Sequence, residues 1–137
     1  HEHGIALQTP AVHPFNPLPL LRLAIACGPN RRVVEALMRH VWMGGADAAD
    51  PARIAALAAD LAPARDPDSP EVKAELRAST DAAIALGVFG VPTFGLGGRL
   101  FWGLDALPML RAAVRGQAWF DGPGWDAAGA PRPGVVR

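Results

Sequence analysis

Residues 88–105 read VFGVPTFGLGGRLFWGLD, and this segment contains the clearest indications of secondary structure in the sequence. Two short runs rich in apolar residues, 91–96 and 99–102, flank the pair Gly97-Gly98. Two adjacent residues that tolerate a positive φ angle, placed between such runs, are typical of a tight β-hairpin turn. The stretch therefore predicts two antiparallel strands that are joined at Gly97-Gly98.

The sequence Val91-Pro92-Thr93 at the entrance of the first strand is unusual, because proline cannot donate a hydrogen bond to a ladder. A cis Val91–Pro92 bond would explain it, since the cis form costs an X-Pro bond only about 0.5–1 kcal/mol. Such a bond would turn the Val91 N–H and C=O outward, where they can pair with a peptide-like ligand. The alternative is an ordinary proline in an edge strand.

Apolar residues recur at helical spacing before the hairpin, and capping residues mark the start of each run. The four predicted helices begin at Asn16-Pro17, Asn30, Asp50-Pro51 and Ser69-Pro70, and they end near Gly28, Gly44, Leu61 and Gly87. Residues 4–9 predict a short strand before these helices, and Leu107, Leu110 and Val114 predict a last helix after the hairpin. This order of elements predicts an α+β fold.

The composition excludes several classes of function. Half of the 137 residues are hydrophobic and 19% are charged, which is typical of a globular protein. The 13 basic and 13 acidic residues cancel, so nothing indicates a nucleic-acid partner or an anionic membrane surface. Arg, Pro or Gly interrupts every apolar stretch before it could span a membrane. The single Cys27 fits the reducing cytoplasm, where we expect this protein.

The segments 88–94 and 100–105 resemble the C-terminal half of the thioredoxin fold. The resemblance is to the branch that contains DsbA-like oxidoreductases, kappa-class glutathione transferases and 2-hydroxychromene-2-carboxylate isomerases. The run His13-Pro14-Phe15-Asn16-Pro17-Leu18 favours the isomerase subgroup. The resemblance covers residues 4–115, implies a thioredoxin-like fold with an inserted helical domain, and favours the cis form of Val91–Pro92.

This resemblance implies four parts of the chain. They are a residual thioredoxin-fold strand and turn (1–16), the inserted helical domain (17–87), the hairpin with the final helix (88–116) and a C-terminal tail (117–137). In the related families a first strand, a helix and the nucleophile at the start of that helix precede the equivalent of His1. We therefore expect the chain to be a C-terminal portion without that strand–helix unit, and its catalytic residue is unknown.

The resemblance also implies glutathione as the cofactor. The backbone of Val91 and Pro92 would pair with its cysteinyl part, while Asp105 and the preceding Leu104 would hold its γ-glutamyl end. Leu104 departs from the polar residue usual at its position, so that only its backbone can contribute. Asp105 can instead cap the last helix, and Asn16 can be either a helix cap or a glutathione contact.

The function implied is that of a glutathione-dependent isomerase acting on a small aromatic catabolite, with a homodimer by family analogy. The alternatives are a kappa-like glutathione transferase, a DsbA-like thiol-disulfide oxidoreductase, and a catalytically incomplete binding or dimerisation module.

We expect Cys27 to be an inert buried thiol, because no Cys-x-x-Cys is present. His13 and His40 are isolated in the sequence, and we expect no functional metal. We expect Trp102 and Phe101 to pack in the core and at its rim and not to form a substrate platform. Phe15 is a candidate for the substrate pocket.

Overall fold

The computed structural model describes residue 4 and residues 6–128. The chain divides into two compact units, unit 1 (His1–Ala82) and unit 2 (Ala83–Arg137). Unit 1 is helical, whereas unit 2 contains a β-hairpin, and together they give the predicted α+β composition. Within the described residues, no helix has the length and apolar character that crossing a membrane requires.

The helices of unit 1 begin where the sequence places capping residues. They are α1 (Leu18–Cys27), α2 (Arg31–Trp42), α3 (Pro51–Leu61) and α4 (Pro70–Ala85), whose last residues belong to unit 2. The Asn30 side chain accepts the Val33 N–H at 3.2 Å, and the Asp50 carboxylate accepts the Ala52 N–H at 2.7 Å. These bonds satisfy N–H groups that the first turn of a helix leaves without a partner. The four predicted helices are confirmed.

The core of unit 1 forms where α1 packs against α2 and α3. Leu23 of α1 and Val33 of α2 are almost fully buried, and both meet Leu61 at the end of α3. A second cluster joins Leu20 to Val41, and a third joins α1 to α4. Each of the three clusters contains at least one residue of α1, so α1 is the central helix of unit 1. Full burial of an aliphatic side chain stabilises a fold by about 1.5–3 kcal/mol.

Residues 4–9 do not form the predicted strand, and that prediction is wrong for the residues that the structure describes. Gly4 and residues 6–9 have no regular structure, while Ile5 lies outside the described residues. The Gln8 N–H donates to the carbonyl oxygen of Trp42 at 2.7 Å, at the end of α2. A strand must pair its N–H and C=O groups with a neighbour, and no strand occurs in the described part of unit 1.

Unit 2 contains the predicted hairpin and the helix that follows it. Strand β1 (Thr93–Leu96) pairs antiparallel with β2 (Arg99–Trp102), and α5 (Leu107–Val114) comes next. The turn residues Gly97 and Gly98 have φ angles of 55° and 78°, in the left-handed region that glycine occupies without a steric penalty. The Val91–Pro92 bond is cis, as the resemblance favours. The predicted hairpin and the cis bond are therefore confirmed, although the first strand begins at Thr93 and not at Val91.

The chain after α5 completes the core of unit 2 with two elements that the sequence does not predict. These elements are a 3-10 turn (Ala118–Asp121) and α6 (Pro123–Ala128). Phe120 is buried, and its ring centroid lies 6.1 Å from that of Phe101 and 5.5 Å from that of Trp125. Together with Trp119 these residues form the aromatic cluster of unit 2. Residues 129–137 of the predicted tail lie outside the described residues.

Arg99 of β2 links the hairpin to this C-terminal segment. Its Nη2 donates to the carbonyl oxygen of Phe120 at 2.8 Å and to the carboxylate of Asp121 at 2.6 Å. The same guanidinium lies 6.0 Å from the ring centroid of Trp125, within the range of a cation–π contact. Residues 118–128 are thus an integrated part of unit 2, held by both apolar and polar contacts.

Candidate functional site

The loop that precedes β1 exposes the backbone of Val91. The Val91 side chain is 86% exposed, and neither its N–H nor its C=O forms a hydrogen bond with another described residue. The Thr93 hydroxyl donates to the carbonyl oxygen of Gly90 at 2.5 Å and closes the loop behind Val91. The Val91 backbone therefore offers one donor and one acceptor, which is what an extended peptide needs for antiparallel pairing.

A single hydrogen bond joins this loop to the turn that leads into α5. The Gly103 N–H donates to the carbonyl oxygen of Pro92 at 2.9 Å. Gly103 has a φ of 90°, and a Cβ built at this position would collide with the carboxylate of Asp105. Only glycine fits there without a shift of its neighbours. Through Gly103, the structure brings Val91, Pro92, Leu104 and Asp105 together on adjacent loops of unit 2.

Asp105 is exposed, and its carboxylate has no hydrogen bond or ion pair with any described residue. Ala106 occupies the N-cap position of α5, and no side chain caps this helix. The interpretation of Asp105 as the side-chain cap is therefore wrong. Its carboxylate is free to pair with a cationic group, and a carboxylate beside a helix N-terminus is electrostatically favoured.

The polar groups that Leu104 presents in this turn belong to its backbone. Its carbonyl oxygen accepts the Leu107 N–H at 3.2 Å, whereas the N–H groups of Leu104 and Asp105 have no acceptor among the described residues. Two consecutive free N–H groups can bind an anion such as a carboxylate. The turn 103–105 thus offers donors for an anion and a carboxylate for a cation, which suits a zwitterionic amino-acid end.

Exposed aromatic residues flank this turn. The ring centroids of Phe89 and Trp102 lie 5.0 Å apart at 50°, and both side chains are more than half exposed. The Trp102 indole lies against Gly90, where an added Cβ would be 2.5 Å from Nε1. Phe101 is buried and Trp102 is exposed, so the prediction of core and rim packing for this pair is confirmed, although the sequence did not indicate which residue would take which place. We did not predict the contact between Phe89 and Trp102 from the sequence. Gly90, which lies between the large apolar residues Phe89 and Val91 and leaves room for the indole, could have indicated it.

Asn16 and Phe15 lie in unit 1. Pro17 occupies the N-cap position of α1 and the helix begins at Leu18, so Asn16, the predicted cap, lies one residue before the cap position. Its side-chain oxygen nevertheless accepts the Leu18 N–H at 3.1 Å. Phe15 is half-buried and packs against the cluster of Leu20 and Val41. The glutathione contact of Asn16 and the substrate contact of Phe15 stay predictions.

Cys27 ends α1 and is half-buried. Burial raises the pKa of its thiol, although the positive charge of Arg32 acts in the opposite direction. Because the thiolate is the nucleophilic form, this environment supports the expectation of an inert thiol. The two isolated histidines have local contacts: His40 Nε2 lies 3.0 Å from the Ala48 carbonyl oxygen, and the His13 ring lies 5.8 Å from that of Trp42.

The antiparallel hairpin of unit 2 and the helix that follows it are compatible with a thioredoxin-type domain. The family model of the DSBA-like thioredoxin domain matches residues 1–115, so the chain belongs to this family. Neither a curated protein nor a solved structure gives a significant match to the chain.

Proposed function

We propose that the chain binds glutathione on unit 2 and serves a glutathione-dependent isomerase of the 2-hydroxychromene-2-carboxylate type. The observation that carries the proposal is the 2.9 Å hydrogen bond between Pro92 and Gly103. It holds the unpaired backbone of Val91 next to the turn with the free carboxylate of Asp105. Membership of the DsbA-like family supports a thiol-based chemistry in general.

Glutathione matches the groups that this surface offers. Its cysteinyl N–H and C=O pair with the Val91 C=O and N–H. Its α-ammonium group binds the carboxylate of Asp105, and its α-carboxylate accepts from the free N–H groups of Leu104 and Asp105. The contacts at the γ-glutamyl end involve an ionised ammonium group and ionised carboxylates, which makes them stronger than hydrogen bonds between neutral groups.

The proposed reaction consumes no glutathione and involves no net oxidation. Glutathione held by Val91, Leu104 and Asp105 would supply a thiolate, which can add reversibly to the conjugated double bond of an unsaturated aromatic pyruvate and so permit rotation about that bond. The exposed rings of Phe89 and Trp102 would provide a surface for the aromatic part of the substrate.

Glutathione binding to the 137-residue chain is the first test, and isothermal titration calorimetry measures it. Asp105→Ala is expected to weaken binding about fivefold, the size of one exposed ion pair. The same change is expected to leave binding of the dipeptide Cys-Gly unaltered, because that ligand lacks the γ-glutamyl end. Asp126→Ala, which removes an exposed carboxylate from α6, is the matched control and is expected to alter neither affinity. Equal glutathione affinity in Asp105→Ala and the unaltered chain would refute the assignment.

The rival functions differ in what happens to glutathione once it is bound. An isomerase converts a cis arylidene pyruvate to the trans form while the glutathione concentration stays constant. A kappa-like transferase consumes one glutathione for each product, and a disulfide oxidoreductase produces glutathione disulfide. Saturable binding with none of these reactions indicates the binding-module alternative. Absorbance of the pyruvate together with a thiol assay distinguishes all four.

A further inference from the structure

Unit 1 contains a cleft between α1, the start of α3 and the loop before α4. Its volume is about 330 Å³. The buried or half-buried part of its lining is apolar and includes Leu23, Ile54 and Ala58, which form its floor, whereas Ala55 is exposed. Small alanine side chains on α3 leave the space open, because they do not reach across to α1. A flat hydrocarbon ring would remove this apolar surface from water, which is favourable by about 25 cal/mol for each Å².

Charged side chains occupy the rim of the same cleft. Arg22 of α1 is 27% exposed, and its Nη1 lies 3.4 Å from the carboxylate of Asp68. Lys73 of α4 approaches the same carboxylate oxygen at 3.6 Å. Lys73 does not line the cleft itself, so Arg22 supplies the positive charge among the described residues that do.

The Asp68 carboxylate is a weak partner for Arg22. Its side chain is 77% exposed, and its bond to Arg22 is longer than a typical charged hydrogen bond. Exposed ion pairs of this kind contribute little to stability. Arg22 forms no other hydrogen bond with a described residue, which leaves most of its five N–H donors available. If Asp68 turns away, Lys73 can still partner it.

We propose that this cleft is a binding site for a small aryl carboxylate, separate from the glutathione surface of unit 2. The ring lies on the floor of Leu23, Ile54 and Ala58, and the carboxylate replaces Asp68 on the guanidinium of Arg22. The planar guanidinium matches a carboxylate in a two-pronged arrangement.

The probe is 1-naphthoate, and its neutral isostere 1-naphthamide is the ligand control. Chemical shifts of the backbone amides of the full chain are followed during titration. The expected result is saturable shifts at Leu23, Ile54 and Ala58 with a dissociation constant of about 1 mM or tighter, as ligand efficiency predicts for this size. Naphthamide is expected to bind at least about tenfold more weakly, because it carries no charge for Arg22.

Three substitutions test the charged rim and the floor separately. Arg22→Gln is expected to weaken naphthoate binding about tenfold, whereas Asp68→Asn is expected to strengthen it because a competing anion is removed. Ala55→Phe places a ring in the cleft and is expected to abolish binding, with circular dichroism to verify the fold. Arg77→Gln removes a cation that does not line the cleft and is the matched control.

Several outcomes would overturn the proposal. They are the absence of saturable shifts up to the solubility limit of naphthoate, equal binding of naphthamide, and unchanged affinity in Arg22→Gln. Shifts confined to residues 88–105 would place the ligand on the proposed glutathione surface and would also refute the site. Loss of glutathione binding alone leaves this inference intact, because none of the cleft residues belongs to that surface.

Discussion

Replacing Phe120 by alanine removes the central ring of the aromatic cluster. Phe120 is 5% exposed, and its ring lies within 6.1 Å of three others, those of Phe101, Trp119 and Trp125. A buried Phe→Ala change costs about 3–5 kcal/mol, and the loss of three aromatic contacts places this case toward the upper part of that range. We therefore expect Phe120→Ala to remove much of the stability of unit 2.

Amide hydrogen exchange in the hairpin measures this effect directly. A loss of about 4 kcal/mol corresponds to exchange about 1,000-fold faster at the amides of β1 and β2. Trp119→Ala is the matched control, because 48% of this side chain is already exposed and its loss is expected to cost only about half as much. Protection in Phe120→Ala within about threefold of the unaltered chain would refute the view that residues 118–128 stabilise the hairpin.

Three further changes test local features. Asn30→Ala removes the cap of α2 and is expected to lower the free energy of unfolding by about 1 kcal/mol in urea denaturation, whereas Asn30→Asp keeps it. Gly103→Ala is expected to lower the free energy of unfolding by about 1–2 kcal/mol, because its φ of 90° is unfavourable for a residue with a Cβ; Gly95→Ala, where φ is not positive and the space is open, is expected to cost less, and equal losses would contradict this. The hydrogen bond from Arg65 holds the pKa of Glu75 below its ordinary value of 4.5, so the pair stabilises the fold above that pH and loses its effect as the pH falls through the lowered value. Stability measured from pH 3 to 7 is expected to fall more steeply in the unaltered chain than in Glu75→Gln, and parallel curves would exclude this contribution.

Local sequence signals were sufficient where the structure itself is local. Gly97-Gly98 predicted the hairpin turn, and Asn30 and Asp50 predicted the starts of α2 and α3, because turns and caps depend on residues within a few positions. The strand predicted for residues 4–9 failed for the opposite reason. A short run closed by Pro10 indicates that a segment can extend, but only a partner strand supplies its hydrogen bonds.

Long-range contacts account for what the sequence did not predict. The bond from Arg99 to Phe120 spans 21 residues, and the approach of Arg22 to Asp68 spans 46. No periodic pattern connects such pairs. For the candidate site, the sequence placed Val91 and Asp105 near the right elements. It could not predict that Gly103 would bond to Pro92, or that Asp105 would be free rather than a cap.

The aromatic cluster shows that the limit of the family match differs from the limit of the folded unit. The family match ends at residue 115, whereas Phe120 and Trp125, which cover Phe101, come after it. A protein shortened to the matched segment would leave the most buried ring of β2 facing water on that side. An expression fragment or fusion junction based on the family limits is therefore expected to aggregate. A fragment that ends at residue 128 keeps the whole of α6, and with it the ring of Trp125 that covers Phe101.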